Sequence, residues 1–139
     1  PPTMGQSALN QISESLLQYQ RNVGILEKIV HSLTSSSHNQ KGTSFQNRQE
    51  LELQYQAQAD VISQLGNKVH KLIGDQKKSE KNVTIKTTLI KLERDFDRVQ
   101  KQAIMLQSTV TKMKEQQAAA AAAGHDSSRG GGSTNNSAY

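Results

Sequence analysis

Histidines are the residues of this chain best suited to metal binding or acid–base catalysis, and there are 4 of them. They lie at His31, His38, His70 and His125, without the H-E-x-x-H spacing that brings two imidazoles to one zinc ion. The chain has no cysteine, which excludes disulfide frameworks and cysteine-ligated metal sites. We therefore interpret the histidines as solvated side chains and expect no metal and no cofactor.

Asp95 and Asp97 are the carboxylates that come closest to a catalytic pair in the sequence. On a helix, residues two apart point in different directions, so these carboxylates do not converge. Arg94 and Arg98 beside them favour ordinary surface ion pairs. No glycine-rich phosphate loop and no nucleophile elbow occurs either. The sequence therefore predicts a protein that is not an enzyme.

A cluster of lysines follows the middle of the chain, at Lys71, Lys77, Lys78 and Lys81. Such a cluster could contact an acidic membrane surface, where each basic residue adds about 1 kcal/mol. A solvated helix end is the favoured interpretation. Nucleic-acid binding needs a wider basic face, and here 17 basic residues are mixed with 12 acidic ones for a formal net charge of +5. We expect no nucleic-acid partner.

The elements that carry these residues are helices. The chain has 139 residues, enough for one domain, and 33% of them are apolar, which suffices for helices that bury narrow stripes. Apolar side chains recur every three or four residues along three stretches, which is the spacing of a coiled-coil-like seam. The first seam is Leu9, Ile12, Leu16, Tyr19, Val23, Leu26, Val30 and Leu33. The second is Leu51, Tyr55, Gln58, Ile62, Leu65, Val69 and Leu72. The third is Ile85, Leu89, Leu92, Phe96, Val99, Ala103, Leu106, Val110 and Met113.

The predicted fold class is all-α: an antiparallel up-down-up three-helix bundle over residues 7–117, with a flexible C-terminal tail. The predicted helices span about residues 7–34, 44–74 and 79–117, judged from polar runs and glycines. Residues 1–6 are expected to be a disordered N-terminus. Thr43 or Ser44 is expected to cap the second helix, and Gly74 to end it. Residues 118–139 are expected to form an alanine-rich helix extension and then a linker rich in glycine, serine and asparagine, beyond which the natural protein continues.

Several apolar residues lie off these seams. Ile90 and Ile104 share one face of the third helix, as a docking groove for a fourth helix would require. The alternative is that flanking positions are partly buried, because the core of three helices is wider than a coiled-coil seam. The candidate groove residues are Val61, Ile73, Ile90, Asp97, Ile104 and Met105.

Residues 91–103, KLERDFDRVQKQA, resemble a stretch of the N-terminal regulatory (Habc) domain of endosomal and vacuolar syntaxins, the Qa class of SNARE proteins. That stretch has Lys-Leu-x-x-Asp-Phe followed by Val-Gln-x-Gln-Ala. The first helix is similar in pattern only and the second matches loosely, so the resemblance spans about residues 6–117. The serine-rich run after Leu33 and the alanine run depart from the family pattern.

The resemblance implies a regulatory function in membrane fusion. Such domains bind the SNARE helix of their own chain, partner SNAREs, or SM-family and other trafficking regulators. It implies a monomeric domain on the cytoplasmic face of endosomal or vacuolar/lysosomal membranes, in a full-length protein that is membrane-anchored although this fragment has no predicted transmembrane segment. If the domain closes on its SNARE helix, the groove between the second and third helices is the expected place. The alternative is a spectrin-like structural or scaffold module.

Overall fold

The computed structural model describes residues 3–38 and 45–132, with side chains described for residues 3–35 and 47–122. It contains three α-helices: α1 spans Met4–His38, α2 spans Phe45–Ser79 and α3 spans Val83–Gly132. No strand occurs in these described ranges. The predicted all-α three-helix bundle is confirmed.

Contacts between the helices give the up-down-up order. The Gln58 side chain on α2 donates from Nε2 to the Asn22 carbonyl oxygen at 3.1 Å and to Asn22 Oδ1 at 2.7 Å on α1. On α3, the Gln102 side chain donates to the Glu27 carboxylate of α1 at 3.4 Å. Gly66, later in α2 than Gln58, lies against Tyr19, earlier in α1 than Asn22, so α2 runs antiparallel to α1. Phe96 of α3 lies beside Tyr19 and the later Gln102 beside the later Glu27, so α3 runs parallel to α1.

The first seam forms the centre of the core. Every residue of that seam is at most 5% exposed, and Leu26 and Leu33 are fully buried. From α3, Phe96 packs its ring 5.4 Å from the ring of Tyr19. In α2 the seam is less regular, since Leu51, Leu65 and Leu72 are only partly buried. The predicted polar seam residue Gln58 is the one that bonds to Asn22.

Helix α1 is longer than predicted at both ends. It begins at Met4, within the segment expected to be disordered, because Thr3 caps it: the Gln6 N–H donates to Thr3 Oγ1 at 3.1 Å. It continues to His38, past the expected end at residue 34. The Thr34 hydroxyl donates to the Val30 carbonyl oxygen at 3.1 Å, so the polar run is accommodated inside the helix. The proposed caps at Thr43 and Ser44 lie outside the described residues.

The turn between α2 and α3 also differs from the prediction. Gly74 does not end α2, because no described glycine has the positive φ of a C-terminal cap, and α2 continues to Ser79. Helix α3 then begins at Val83 instead of about residue 79. Asn82 caps it by accepting the Ile85 N–H on Oδ1 at 3.1 Å.

Helix α3 extends further along the chain than the sequence predicts. The helix passes Gly124, where a linker was expected to begin, and ends at Gly132. Alanines at residues 118–123 have the highest helix propensity, and each residue added to an existing helix gains a hydrogen bond, so the helix propagates. Residues 133–139 of the predicted linker lie outside the described residues.

Candidate protein-binding groove

An open groove of about 460 Å³ separates α2 from α3. Of the three helix pairs, α2 and α3 contact each other least, because both pack mainly against α1. Tyr19 of α1 forms part of the floor. The α2 wall is Tyr55, Gln56, Ala59, Ile62, Ser63, Gly66 and Asn67, and the α3 wall is Gln100, Ala103, Ile104, Gln107, Val110, Thr111 and Lys114. We name this feature the α2–α3 groove.

Small residues keep the α2–α3 groove open. Ala59, Ser63 and Gly66 lie on one face of α2, where a seam of leucines would have met α3. Gly66 is buried, and a Cβ placed on it would lie 3.3 Å from Cε1 of Tyr19. The ring of Tyr19 therefore lies directly under α2 where the side chain is absent. Ala103 is the small residue on the α3 side.

The walls are polar but nearly uncharged. Asparagine and glutamine side chains supply both donors and acceptors, and Lys114 is the one charged residue among the lining residues. Its Nζ lies 5.8 Å from the centroid of the Tyr55 ring, a cation–π arrangement. Burial raises the pKa of Tyr55 and of Tyr19 above the ordinary value of 10.0, so both phenols stay protonated at neutral pH.

Of the predicted groove residues, Ile104 lines the α2–α3 groove. It is 58% exposed, although it borders a cavity, because its side chain lies at the rim. Ile90 and Asp97 are spaced from it by multiples of seven residues, so they follow the same face of α3 toward the α2–α3 turn but outside the lining. Of these three residues on one face of α3, Ile104 alone borders the groove.

Three other predicted groove residues lie elsewhere. Ile73 is only 3% exposed and belongs to the core, so its assignment to an exposed groove is wrong. A straight helix drifts about 20° per heptad, which rotates Ile73 inward in place of Leu72 at the end of α2. Val61 is 40% exposed and does not line the α2–α3 groove. Met105 lines a shallow depression on the outer face of α3 together with Asp97.

The predicted lysines do not act as one group. All of them are exposed. Lys77 Nζ donates to both carboxylate oxygens of Glu93, at 3.2 and 3.1 Å, and thereby bridges α2 and α3 between the groove and the α2–α3 turn. Lys71 and Lys78 lie on α2 and Lys81 lies in the turn. Only part of this cluster therefore carries unpaired positive charge.

The polar residues considered for catalysis are dispersed. His31 and His70 are exposed on different helices, and Asp95 lies 3.6 Å from the guanidinium of Arg98. Among the described residues, no group of histidine, aspartate and glutamate could hold a metal ion. None of the described helices is both long enough and apolar enough to cross a membrane.

The sequence prediction missed the residues that form most of the groove. Small side chains give no hydropathy signal, so the sequence pattern does not mark Ser63, Gly66 and Ala103 as a surface. The spacing of Ala59, Ser63 and Gly66, four and then three residues, is the pattern that could have shown it.

Comparisons with protein-family models, with curated proteins and with solved structures each found no match.

Proposed function

We propose that this chain is a regulatory domain of the syntaxin type, which binds an amphipathic SNARE helix in the α2–α3 groove and thereby controls SNARE complex assembly. In this proposal it acts in endosomal or vacuolar vesicle trafficking, on the cytoplasmic face of the membrane. SM-family or other trafficking regulators are its further partners. The observation that carries the proposal is the open groove between two helices that are otherwise well packed against α1.

The size of the groove suits one helix. Its α2 wall runs from Tyr55 to Asn67, about 18 Å at about 1.5 Å per residue, which is roughly three helical turns. A docked helix would place side chains into it at i, i+3 or i+4, and i+7. Small residues at Ala59, Ser63 and Ala103 allow the backbone of such a helix to approach closely.

The charge of the groove indicates what the helix presents. Apolar and amide side chains suit the walls, because these contain amides and no carboxylate. Lys114 at one end favours an acidic residue on the partner at that end. The groove therefore fits a helix that is mostly uncharged on its inner face.

The sequence resemblance supports the same surface. Residues 91–103, which resemble the regulatory domain of endosomal syntaxins, contribute Gln100 and Ala103 to the groove. The same stretch contributes Phe96 and Val99 to the core. These residues thus contribute both to the packing of α3 and to the wall of the groove.

Two adjacent residues provide a matched test. Ile104 lines the groove and is 58% exposed, whereas Met105 is 70% exposed and lies outside it. Both can be replaced by Asp without burying a charge. The affinity of a synthetic SNARE helix of an endosomal syntaxin is measured by calorimetry for the wild-type chain, Ile104→Asp and Met105→Asp. We expect Ile104→Asp to weaken binding by about tenfold or more, the loss of one buried apolar anchor, and Met105→Asp to leave it unchanged.

Circular dichroism checks that both variants keep the helical content of the wild type. The proposal is wrong if the wild-type chain does not bind the helix, or if the two variants weaken binding equally.

A further inference from the structure

The end of the bundle that holds the α2–α3 turn carries exposed lysines. Lys78 is the second-last residue of α2, Lys81 lies in the turn, and Lys86 lies in the first turn of α3. All three are exposed. None of the three has an ion pair within 4.0 Å among the described residues, in contrast to Lys77, which is bound to Glu93. Three unpaired positive charges are thus close together in sequence and at one end of the fold.

The carboxylate within the same stretch of chain does not neutralise them. Between residues 76 and 88 the only carboxylate is that of Glu80. Its Oε2 accepts the Asn82 N–H at 3.1 Å and its Oε1 accepts from Gln76 Nε2. A Cβ placed on Gly5 would lie 2.7 Å from Glu80 Oε1, so this carboxylate is turned inward against the start of α1.

Two apolar side chains project at the same end. Met4 and Val83 are the most exposed large hydrophobic residues of the described chain, at 91% and 75%. Both belong to this end. Val83 is the first residue of α3. Gly5, which follows Met4, lies against the same helix start, because a Cβ placed on Gly5 would lie 2.7 Å from Cδ1 of Ile85. We name the set Met4, Lys78, Lys81, Val83 and Lys86 the basic tip.

We propose that the basic tip binds the surface of an anionic membrane. Lysines near an anionic lipid surface are attracted through the diffuse surface potential, and exposed aliphatic side chains partition into the interfacial region. The tip contains lysine and no arginine, and lysine acts as a point charge where arginine would suit bidentate recognition of a carboxylate. This proposal does not depend on what occupies the α2–α3 groove.

A charge-matched pair of variants tests the position of the contact. In the tip variant Lys78, Lys81 and Lys86 are replaced by Gln; in the control variant Lys28, Lys68 and Lys112 are replaced by Gln. The control lysines are also exposed and lie on α1, α2 and α3 away from the tip. Both variants lose the same charge, so non-specific attraction falls equally in both.

The full chain is sedimented with vesicles of phosphatidylcholine alone and with vesicles that also contain phosphatidylserine. We expect the wild-type chain to bind only the anionic vesicles, with an affinity that decreases as salt is added. The tip variant should bind roughly a hundredfold more weakly, at about fivefold per lysine, whereas the control variant should change severalfold at most. Met4→Ser with Val83→Ser, which keeps every charge, should weaken binding to a smaller extent.

Three results would overturn the proposal. The first is equal weakening of the tip and control variants, which would indicate attraction by net charge alone. The second is failure of the wild-type chain to bind anionic vesicles. The third is binding of a poly-glutamate peptide in the absence of vesicle binding, which would make the tip a contact for an acidic protein.

Discussion

The interface that α1 makes with its neighbours differs from the one between α2 and α3. Helix α1 contributes a seam in which every residue is buried, with Leu26 and Leu33 at 0% exposure. Between α2 and α3 several of the facing positions are small or polar, among them Ser63, Gly66 and Gln107, and a cavity of about 460 Å³ remains. Helix α1 therefore holds the bundle together, while an open groove remains between α2 and α3.

The two interfaces contribute differently to the stability of the bundle. Burying apolar area contributes about 25 cal/mol per Å², so the stability of the bundle resides mainly in the seam of α1 and the residues that meet it. Replacing exposed residues at the rim of the groove, such as Ile104, should therefore alter binding more than folding. Each of the following predictions tests whether the two interfaces differ in this way.

The largest effect is expected for truncation of the α1 seam. Leu26→Ala removes a side chain that is 0% exposed and should lower the free energy of unfolding by about 3 to 5 kcal/mol. Ile104→Ala, at the rim of the groove, should lower it by less than about 1 kcal/mol, because its side chain is already 58% exposed. Chemical denaturation followed by circular dichroism measures both. Similar losses for the two variants would show that the groove residues are as much a part of the core as the α1 seam.

A smaller effect is expected from glycines within the helices. No atom lies within 4 Å of a Cβ placed on Gly24 of α1, so Gly24→Ala should stabilise the protein by about 0.4 to 1 kcal/mol through helix propensity. Gly66→Ala should gain less, because its Cβ would lie 3.3 Å from Cε1 of Tyr19 in the groove floor. Thermal unfolding of the two variants compares them directly. A larger gain for Gly66→Ala would mean that the ring of Tyr19 moves freely and that the contact does not shape the groove.

The smallest effect is expected at alkaline pH. Burial raises the pKa of Tyr19 and Tyr55 above 10.0, so the folded state disfavours the phenolate more than the unfolded state does. The corresponding stability is fully present below pH 10 and is lost as the pH rises through the higher folded pKa values. The double variant Tyr19→Phe, Tyr55→Phe cannot ionise there and should lose less stability between about pH 9 and about pH 11 than the wild type. Melting temperatures recorded across this range test the prediction, and identical pH dependence of the two proteins would contradict it.

The sequence predicted the core better than it predicted the ends of the helices. Apolar residues every three or four positions must face the bundle axis, which is why the α1 seam was predicted residue by residue. Helix ends depend on single side-chain hydrogen bonds, such as those of Thr3 and Asn82, and hydropathy does not detect these bonds. Ile73 was misplaced because helix drift decides between two adjacent apolar residues.

The groove was only partly predictable for a different reason. Off-seam apolar residues show which positions escape the core but not which neighbour they lie beside. Ile104 borders the α2–α3 groove and Met105 does not, although they are adjacent and similarly apolar. The groove arises because Gly66 has no side chain and Ser63 has a small one. The space that they leave can be located only once the packing of the helices is known.

The most direct test of the central claim is to locate a bound helix. The chain has no cysteine, so Ser63→Cys in the groove and Leu53→Cys, 70% exposed on the same helix but outside the groove, each provide one site for an environment-sensitive fluorophore. Both labelled proteins are titrated with the synthetic SNARE helix. If the α2–α3 groove binds the helix, we expect a saturable spectral change at residue 63 and none at residue 53. Equal changes at both positions, or a change only at residue 53, would contradict the assignment of the α2–α3 groove as the binding surface.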